Sequence, residues 1–365
     1  MNATLMVGQL VFNVRVEGCE PNPYENGAKS EVAVELEIGG LVMNAAVANE
    51  LIGGGQPAQC LITGPQQSAF GVADAATAQF TDARVVNAAA AHRVSAIVPG
   101  PGPDTGDHIF TNRPDIVDPD RVSKTVESIL NQGQFQFLVL GSFGVRDQNL
   151  VSELIDLGRT RGARVYFAPT NSQLRNCQAF LELVCRFDNQ DWIQLNHVEL
   201  RLLTGCRDIV RGVNWLREQG LQCSLLVTAG AGGLYAFDAG RGTWAFQRAF
   251  DVVVVRDDGA GDCIVGTFVA ALAESASRSQ PVDLQAALRL CAAAAALHVS
   301  GQSRSRQGGW RELDLFAERT RELPFQPPSG NVNIVYLRLR KMKPVMQFAA
   351  GAMAACLFFL LLASV

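Results

Sequence analysis

The densest chemistry in the sequence lies in Val252-Val253-Val254-Val255-Arg256-Asp257-Asp258-Gly259-Ala260-Gly261-Asp262. An apolar run, read as a strand over Val252–Val255, enters a turn of small residues, and the turn opens a helix predicted over Gly261–Glu274. The first amides of a helix have no partner inside it and carry partial positive charge, so they converge on an anion. Residues as small as Gly259, Ala260 and Gly261 let a phosphate approach the backbone closely. A carboxylate in the first helical turn, Asp262, can take the proton of a hydroxyl as that hydroxyl attacks phosphorus. Positioning and charge stabilisation supply most of the catalysis of phosphoryl transfer, and such a turn offers both. Alone, the same residues would equally make a Gly-rich turn with Asp262 as an ordinary helix cap.

Two weaker constellations point the same way. Asn196-His197-Val198-Glu199 follows a strand expected over Trp192–Leu195, and Asn196 and Glu199, three apart, share one face of a helix start. An amide and a carboxylate together can orient a hydrated Mg²⁺ and the phosphates on it. Val227-Thr228-Ala229-Gly230-Ala231-Gly232-Gly233 follows another strand; its hydroxyl can bond phosphate, and its glycines leave room for a nucleotide. No G-x-x-x-x-G-K-[ST] loop and no full G-x-G-x-x-G occurs, so P-loop and dinucleotide-binding readings lack their defining residues.

The elements that would carry these residues alternate. Strands are expected over Phe135–Gly141, Ala163–Ala168, Trp192–Leu195 and Ser224–Thr228, and helices over Gln148–Arg161, Asn176–Arg186, Ile209–Gln219 and Leu284–Val299. Strands alternating with helices of this length imply a parallel sheet covered on both faces. Earlier in the chain, Leu5–Phe12 reads as a buried first strand, Asn44–Leu51 as a helix and Cys60–Thr63 as a short strand. Glu31–Ile38 alternates charged and apolar residues, which predicts a strand with one wet face, and His92–Val98 makes a second such excursion. A chain of 365 residues is long enough for one large α/β core, and its net charge of −4 gives no electrostatic case for nucleic acid. The nine cysteines form no CxxC pair and no cluster with the four histidines, so they read mostly as small buried apolar groups in a reducing compartment.

The far end of the chain differs. Residues 345–365 carry no charge, and Arg338, Arg340, Lys341 and Lys343 stand just before them. A span of this length crosses a hydrocarbon core as a helix, at about 1.5 Å per residue, and the basic cluster would keep the preceding part cytoplasmic. The expected organisation is a domain over 1–330, a basic juxtamembrane stem over 331–344 and a transmembrane helix over 345–365.

Taken together, the motifs resemble those of the ribokinase/PfkB family of carbohydrate kinases. Four matches run in the family's order over roughly residues 5 to 325: Gly39-Gly40 with Asn44; Asn196 with Glu199; Thr228, Gly230 and Gly233; and Gly259-Ala260-Gly261-Asp262. The resemblance implies a doubly wound, mostly parallel sheet with helices on both faces and a small β-sheet lid, its strands within 14–38 and 92–112. It implies that Gly39, Gly40 and Asn44, with Asn13, contact a sugar, polyol or nucleoside. Glu199 would serve Mg²⁺, and Asn196, Thr228, Gly230 and Gly233 would serve ATP. Gly259, Ala260 and Gly261 would form an anion hole beside Asp262, the base. Lids of this family sometimes pair across a homodimer.

The departures are local. Asn13 stands where the family usually has Asp. Val42 stands at the third glycine of the family's Gly-Gly signature, where it is expected to narrow the sugar site. Arg256-Asp257-Asp258 replaces the usual Asp-Thr-Thr, which argues against potassium dependence and leaves Asp258 a repulsive neighbour for phosphate unless it is paired. The competing reading is a catalytically weak or inactive membrane-tethered binding or scaffold protein. The presence of Asp262, Asn196 and Glu199 favours the enzyme.

Overall fold

Successive residues of an extended segment face opposite ways, so a strand buried on both sides reads as an unbroken apolar run. That is the pattern at Thr4–Gln9, where all six residues are buried: Leu5 and Val7 enter one hydrophobic core and Met6 enters another behind the sheet. The computed structural model describes residues 4–17, 33–52, 57–64, 83–99, 107–112, 114–256, 258–302 and 309–325. The chain divides into two units, Met1–Pro328 and Ser329–Val365, and the second lies wholly outside the described residues.

The described strands are β1 (Thr4–Gln9), β2 (Val11–Glu17), β3 (Ala33–Gly39), β4 (Ala58–Thr63), β5 (Ala83–Asn87), β6 (Arg93–Pro99) and β7 (Asp107–Thr111). They continue with β8 (Phe137–Gly141), β9 (Arg164–Ala168), β10 (Trp192–Asn196), β11 (Ser224–Thr228), β12 (Leu234–Asp238) and β13 (Thr243–Gln247). The helices are α1 (Leu41–Leu51), α2 (Pro119–Gln132), α3 (Gln148–Thr160), α4 (Asn171–Leu174), α5 (Cys177–Val184), α6 (His197–Thr204), α7 (Ile209–Glu218), α8 (Ala260–Ser277), α9 (Leu284–Val299) and α10 (Gly309–Arg319).

Nine strands form one sheet in the order β13-β12-β11-β10-β9-β8-β1-β4-β5. Its pairings are parallel except at the β11-β12-β13 edge. Residues of α2, α3, α5, α6 and α7 pack on one face, and those of α1, α8, α9 and α10 on the other. This is the doubly wound architecture expected from the alternating pattern. A separate four-stranded sheet, β3-β2-β6-β7, is antiparallel except where β2 and β6 run parallel, and it corresponds to the expected lid.

Two expectations change. Leu5–Phe12 is not one strand: the chain leaves the large sheet at Leu10, whose amide donates to the Ile62 carbonyl at 2.9 Å, and continues as β2 in the small sheet. Val252–Val255 is not a strand either. The β12–β13 hairpin already occupies that edge of the sheet, and the amides of Val255 and Arg256 donate instead to the Val299 carbonyl at the end of α9. Val253 is left 81% exposed. The cysteines are mostly buried, as expected: of the seven described, Cys60, Cys223, Cys263 and Cys291 are buried, Cys177 and Cys206 are half-buried and Cys185 is exposed. No helix among the described residues is long and apolar enough to cross a membrane, and the predicted span 345–365 lies outside them, as do the stem 331–344 and Asp257.

One contact sets how α1 lies against α8. Helices α1 and α8 cross so closely that a Cβ on Gly266 would lie 2.1 Å from the Ala45 carbonyl oxygen. The Asn49 side chain donates to the Gly266 carbonyl at 3.2 Å and closes the seam. Gly266→Val should force the two helices apart, at a cost of about 1–3 kcal/mol for overpacking. Thermal denaturation should show a lower Tm, and a Tm equal to that of the parent would mean the crossing has slack.

Candidate active site

Gly259 has a φ of 78°, a left-handed conformation that lets the chain turn into α8. A Cβ there would lie 2.9 Å from His298 Nε2, so space as well as backbone angle demands glycine. The His298 Nε2–H donates to the Asp258 carbonyl at 2.7 Å and braces the turn from α9. Burial holds His298 below the usual histidine range, in keeping with a neutral ring. A second brace comes from the sheet. The Tyr166 hydroxyl donates to Gln194 Oε1 at 2.7 Å, and Gln194 Nε2 donates to the Gly261 carbonyl at 3.0 Å. Helix α8 thus begins with no side-chain cap among the described residues, at a turn held from two directions.

Asp262 stands in the first turn of that helix. Asn44 Nδ2 donates to Asp262 Oδ2 at 2.7 Å, a contact made across the α1–α8 crossing just described. Burial pushes the Asp262 carboxyl up to about 6; the hydrogen bond from Asn44 opposes this, the Asp258 charge adds to it, and the Arg93 charge opposes it. A carboxyl poised there is ionised at neutral pH yet remains a fair proton acceptor.

The residues expected at the substrate gather around this pair. A Cβ on Gly39 would meet Asn13 Nδ2 at 2.6 Å and Asn44 Oδ1 at 3.6 Å, so Asn13, Gly39, Asn44 and Asp262 are contiguous. Gly40, at φ 104°, caps α1 and lies against Val11. Val42 is different: it is fully buried, and its Cγ2 packs on Gly8 in the core beneath β1. The expected narrowing of the sugar site by Val42 is therefore replaced by a packing role, because the helical turn points this side chain at the sheet.

Asn196 and Thr228 are register partners at the carboxyl ends of the parallel strands β10 and β11. That edge is where ligands bind in open α/β sheets. Asn196 and Glu199 do meet, as a reciprocal capping box: the Asn196 side chain accepts from the Glu199 amide, and the Glu199 carboxylate accepts from the Asn196 amide, each at 2.8 Å. Gly230 has φ 56°, and a Cβ there would meet nothing within 4 Å, whereas a Cβ on Gly233 would meet the Gln247 carbonyl at 2.2 Å. Gly233 therefore serves the close approach of β13, and Gly230 borders open space.

The structure adds contacts that sequence reasoning missed. Arg15 Nη2 donates to Asp258 Oδ1 at 2.5 Å, with both side chains almost covered, so the awkward carboxylate beside the turn is paired. Arg256 approaches Glu37 at 3.7 Å, so its guanidinium reaches the small sheet. Arg93, buried at the start of β6, donates to the carbonyl of Ser142 at 3.0 Å. Gln194 could have been noticed as a polar residue within the apolar strand Trp192–Leu195; the arginine pairings join segments too distant in sequence to signal themselves.

The architecture is shared with solved structures. A ribokinase from Giardia lamblia superposes with a TM-score of 0.68 at 16% identity, covering 86% of this chain and 99% of that chain. Phosphofructokinase-2 from Escherichia coli, solved with fructose-6-phosphate, gives 0.66 at 16% identity over 87% and 98%. A ribokinase from Arabidopsis thaliana, complexed with ribose and ATP, gives 0.62 at 17% identity over 87% and 99%. At such identities the likeness defines a ribokinase-like fold. No curated protein sequence matches the chain. The profile of the pfkB family carbohydrate kinases, however, matches residues 7–306, and the chain belongs to that family.

The electrostatics of Asp262 can be measured directly by carboxyl NMR titration. The midpoint should lie near 6. Asp258→Asn should move it down by removing a like charge, and Asn44→Leu should move it up by removing a donor to the ionised form. A midpoint in the ordinary aspartate range, unmoved by either change, would contradict this picture.

Proposed function

We propose that the chain transfers the γ-phosphoryl group of ATP to an alcohol group of a sugar, polyol or nucleoside, with Asp262 as the base. The observation that carries this reading is the Asn44–Asp262 pair at the uncapped start of α8. The acceptor oxygen would bond to the γ-phosphorus while its proton passes to the Asp262 carboxylate. The bond from phosphorus to the bridging oxygen would break, with its electron pair leaving on ADP. Amides of the Gly259-Ala260-Gly261 turn would receive the charge on the transferring group, as an anion hole does. Asn13, Gly39, Gly40 and Asn44 would hold the acceptor hydroxyls. Thr228 and Gly230 would border the nucleotide, with Asn196 beside them on the next strand.

Magnesium fits the donor set. Mg²⁺ keeps most of its waters and binds through one or two carboxylates together with nucleotide phosphates. Glu199, beside Asn196 at the strand ends, supplies such a carboxylate, and the ion would neutralise phosphate charge there. Part of the Glu199 carboxylate is spent on the capping box, so its role is to orient the ion's water shell and, at the same time, the start of α6. The ATP and ribose named for the Arabidopsis relative support the same substrate classes. Homodimer formation through β3, an edge strand of the small sheet, and membrane attachment through residues 345–365 complete the reading.

Asp262→Asn should lower turnover by about 10² or more, the scale of general-base loss, while MgATP binding survives. A variant that keeps parental turnover on a good acceptor would remove Asp262 from this role. Exchanging K⁺ for a bulky organic cation should leave turnover unchanged, since Arg256 occupies the position of the usual acidic residue; strong activation by K⁺ would refute that. Finally, the full-length protein should stay with membranes through carbonate washing, and a chain ending near Arg340 should not. Release of the full-length protein would mean that 345–365 docks on protein instead.

A further inference from the structure

A cavity of about 470 Å³ lies at the opposite end of the strands from the candidate active site, and its residues have no part in the proposed reaction. It is framed by the starts of β9, β10 and β11, the end of β12, the last turns of α8 and the loop that joins α8 to α9. Trp192 and Ser224, which line it, stand at the amino ends of the strands whose carboxyl ends carry Asn196 and Thr228. At about 3.3 Å per residue, that is a separation of about 13 Å along each strand. Leu272, also in its wall, is about 15 Å along α8 from Asp262, at about 1.5 Å per residue. In open α/β sheets the ligands of the main site gather at the carboxyl ends, so this cavity is a separate place.

Its inner wall is made of covered groups: Trp192, Ser224, Asp238 and Leu272 are all buried. Asp238 Oδ1 accepts from the Arg241 amide at 3.1 Å, and Asp238 Oδ2 lies 3.5 Å from Arg241 Nε. Arg241 Nη1 donates to the Val282 carbonyl at 2.9 Å, so the guanidinium is held in place with donors to spare. Arg164 is exposed at the mouth, its Cζ 5.7 Å from the centre of the Phe137 ring, and makes no ion pair among the described residues. A guanidinium resting on a ring face keeps the N–H groups of its edge for other partners. Asp191, beside Trp192, lends the cavity no charge, because its carboxylate is taken up by Arg159 at 2.5 Å and by the amides of Val165 and Asp188. Two guanidiniums therefore share the cavity with one carboxylate. Ser279, also in its wall, ends α8 at a φ of 53°, where glycine is the usual residue, and so adds a hydroxyl that glycine would not.

We propose that this cavity is a second ligand site, built for a sugar monophosphate. The fork of an arginine matches phosphate oxygens, and a phosphate monoester has three terminal oxygens to divide between Arg164 and Arg241. The buried Asp238 carboxylate repels an anion that comes deeper but accepts protons from hydroxyl groups. The ligand is therefore bipolar, with its phosphate at the mouth and its hydroxyls inward. Trp192 and Leu272 offer apolar surface to the C–H faces of the sugar ring. Inorganic phosphate alone would leave the inner wall unused, and a nucleoside triphosphate would bring more negative charge than two arginines beside an aspartate can balance. The site stands apart from the kinase reading, since it uses none of the residues assigned there.

The test is isothermal titration calorimetry of the full chain, without ATP or Mg²⁺, using glucose-6-phosphate, inorganic phosphate and glucose as probes. The parent should bind glucose-6-phosphate about tenfold or more tightly than either of the other two, because only that probe meets both the arginines and Asp238. Arg164→Gln and Arg241→Gln should each weaken the binding by about tenfold or more, the scale of a lost charge-assisted hydrogen bond. Both side chains are exposed, so the Tm of Arg164→Gln in particular should match the parent's and separate lost recognition from lost structure. Asp238→Asn should tighten inorganic phosphate, by removing a like charge, and so narrow the preference for glucose-6-phosphate. Asn44→Leu, at the acceptor end of the molecule, should leave this binding unchanged. Binding that Asn44→Leu abolishes, or that both arginine variants retain, belongs elsewhere and overturns the proposal. So does an absence of saturable glucose-6-phosphate binding, and so does inorganic phosphate or glucose binding as tightly as glucose-6-phosphate.

Discussion

The Asn44–Asp262 contact at the centre of the candidate site depends on how closely α1 and α8 can cross. The missing side chain at Gly266 lets the backbone of α1 settle onto α8, and that approach brings Asn44 within hydrogen-bonding distance of Asp262. The two residues come from helices more than two hundred positions apart, and neither helix is amphipathic enough to fix its own rotation by a single apolar stripe. Their mutual rotation is set by shape, through Gly266 against Ala45 and Ala48. A carboxyl group in a low-dielectric place needs at least one good donor to stay ionised, and the crossing provides it.

The turn before α8 is governed by the opposite strategy. It is held by polar side chains that arrive from outside: Gln194 from the sheet and His298 from α9 bond its backbone, and Arg15 from the small sheet bonds the Asp258 carboxylate. Two of these bonds end on carbonyl oxygens, Asp258 and Gly261, so acceptors of the turn are occupied while no side chain among the described residues caps the helix start. That division of labour suits an anion site. Tyr166, fully buried, adds a further link behind Gln194, and satisfied buried networks of this kind are stiff.

Much of this was legible in the chain. Alternating strands and helices announced a parallel sheet because strands buried on both faces have to be apolar throughout, and Ser224–Thr228 and Leu284–Val299 are found where the pattern placed them. The helix start at Gly259–Asp262 was legible because an apolar run entering small residues and a carboxylate marks one, whether or not the carboxylate does chemistry. Other signals were present and overlooked. Asp118 followed by Pro119 marks the start of α2, with the Asp118 side chain accepting from the Arg121 amide. The alternation in Leu234–Asp238 and Thr243–Gln247, separated by a short loop with two glycines, is a hairpin pattern. The Val252–Val255 run misled because β-branched residues favour extended backbone whether or not a partner strand exists. The pairing of Arg15 with Asp258 could not be read at all, since nothing local links residues 243 positions apart. Val42 was misjudged for a related reason: motif position identified the turn of helix but not the direction in which its side chain points.

The placement of β1 inside the large sheet, third from one edge, has a consequence for how the chain comes to be folded. Its two neighbours are β4 and β8, and Thr4 pairs with Phe137. During synthesis this strand, buried along its whole length in the folded protein, must wait until about residue 141 has emerged before both of its ladders can close. Parallel pairings over such separations are slow to form, because loop closure is required before any ladder bond is gained. The nascent chain therefore carries an unpaired hydrophobic edge through the early part of its synthesis, at the stage when chaperones and aggregation compete for it. The chain passes from β1 through Leu10 directly into β2 of the small sheet, so a delay in seating β1 also delays the sheet that bears Asn13 and Arg15.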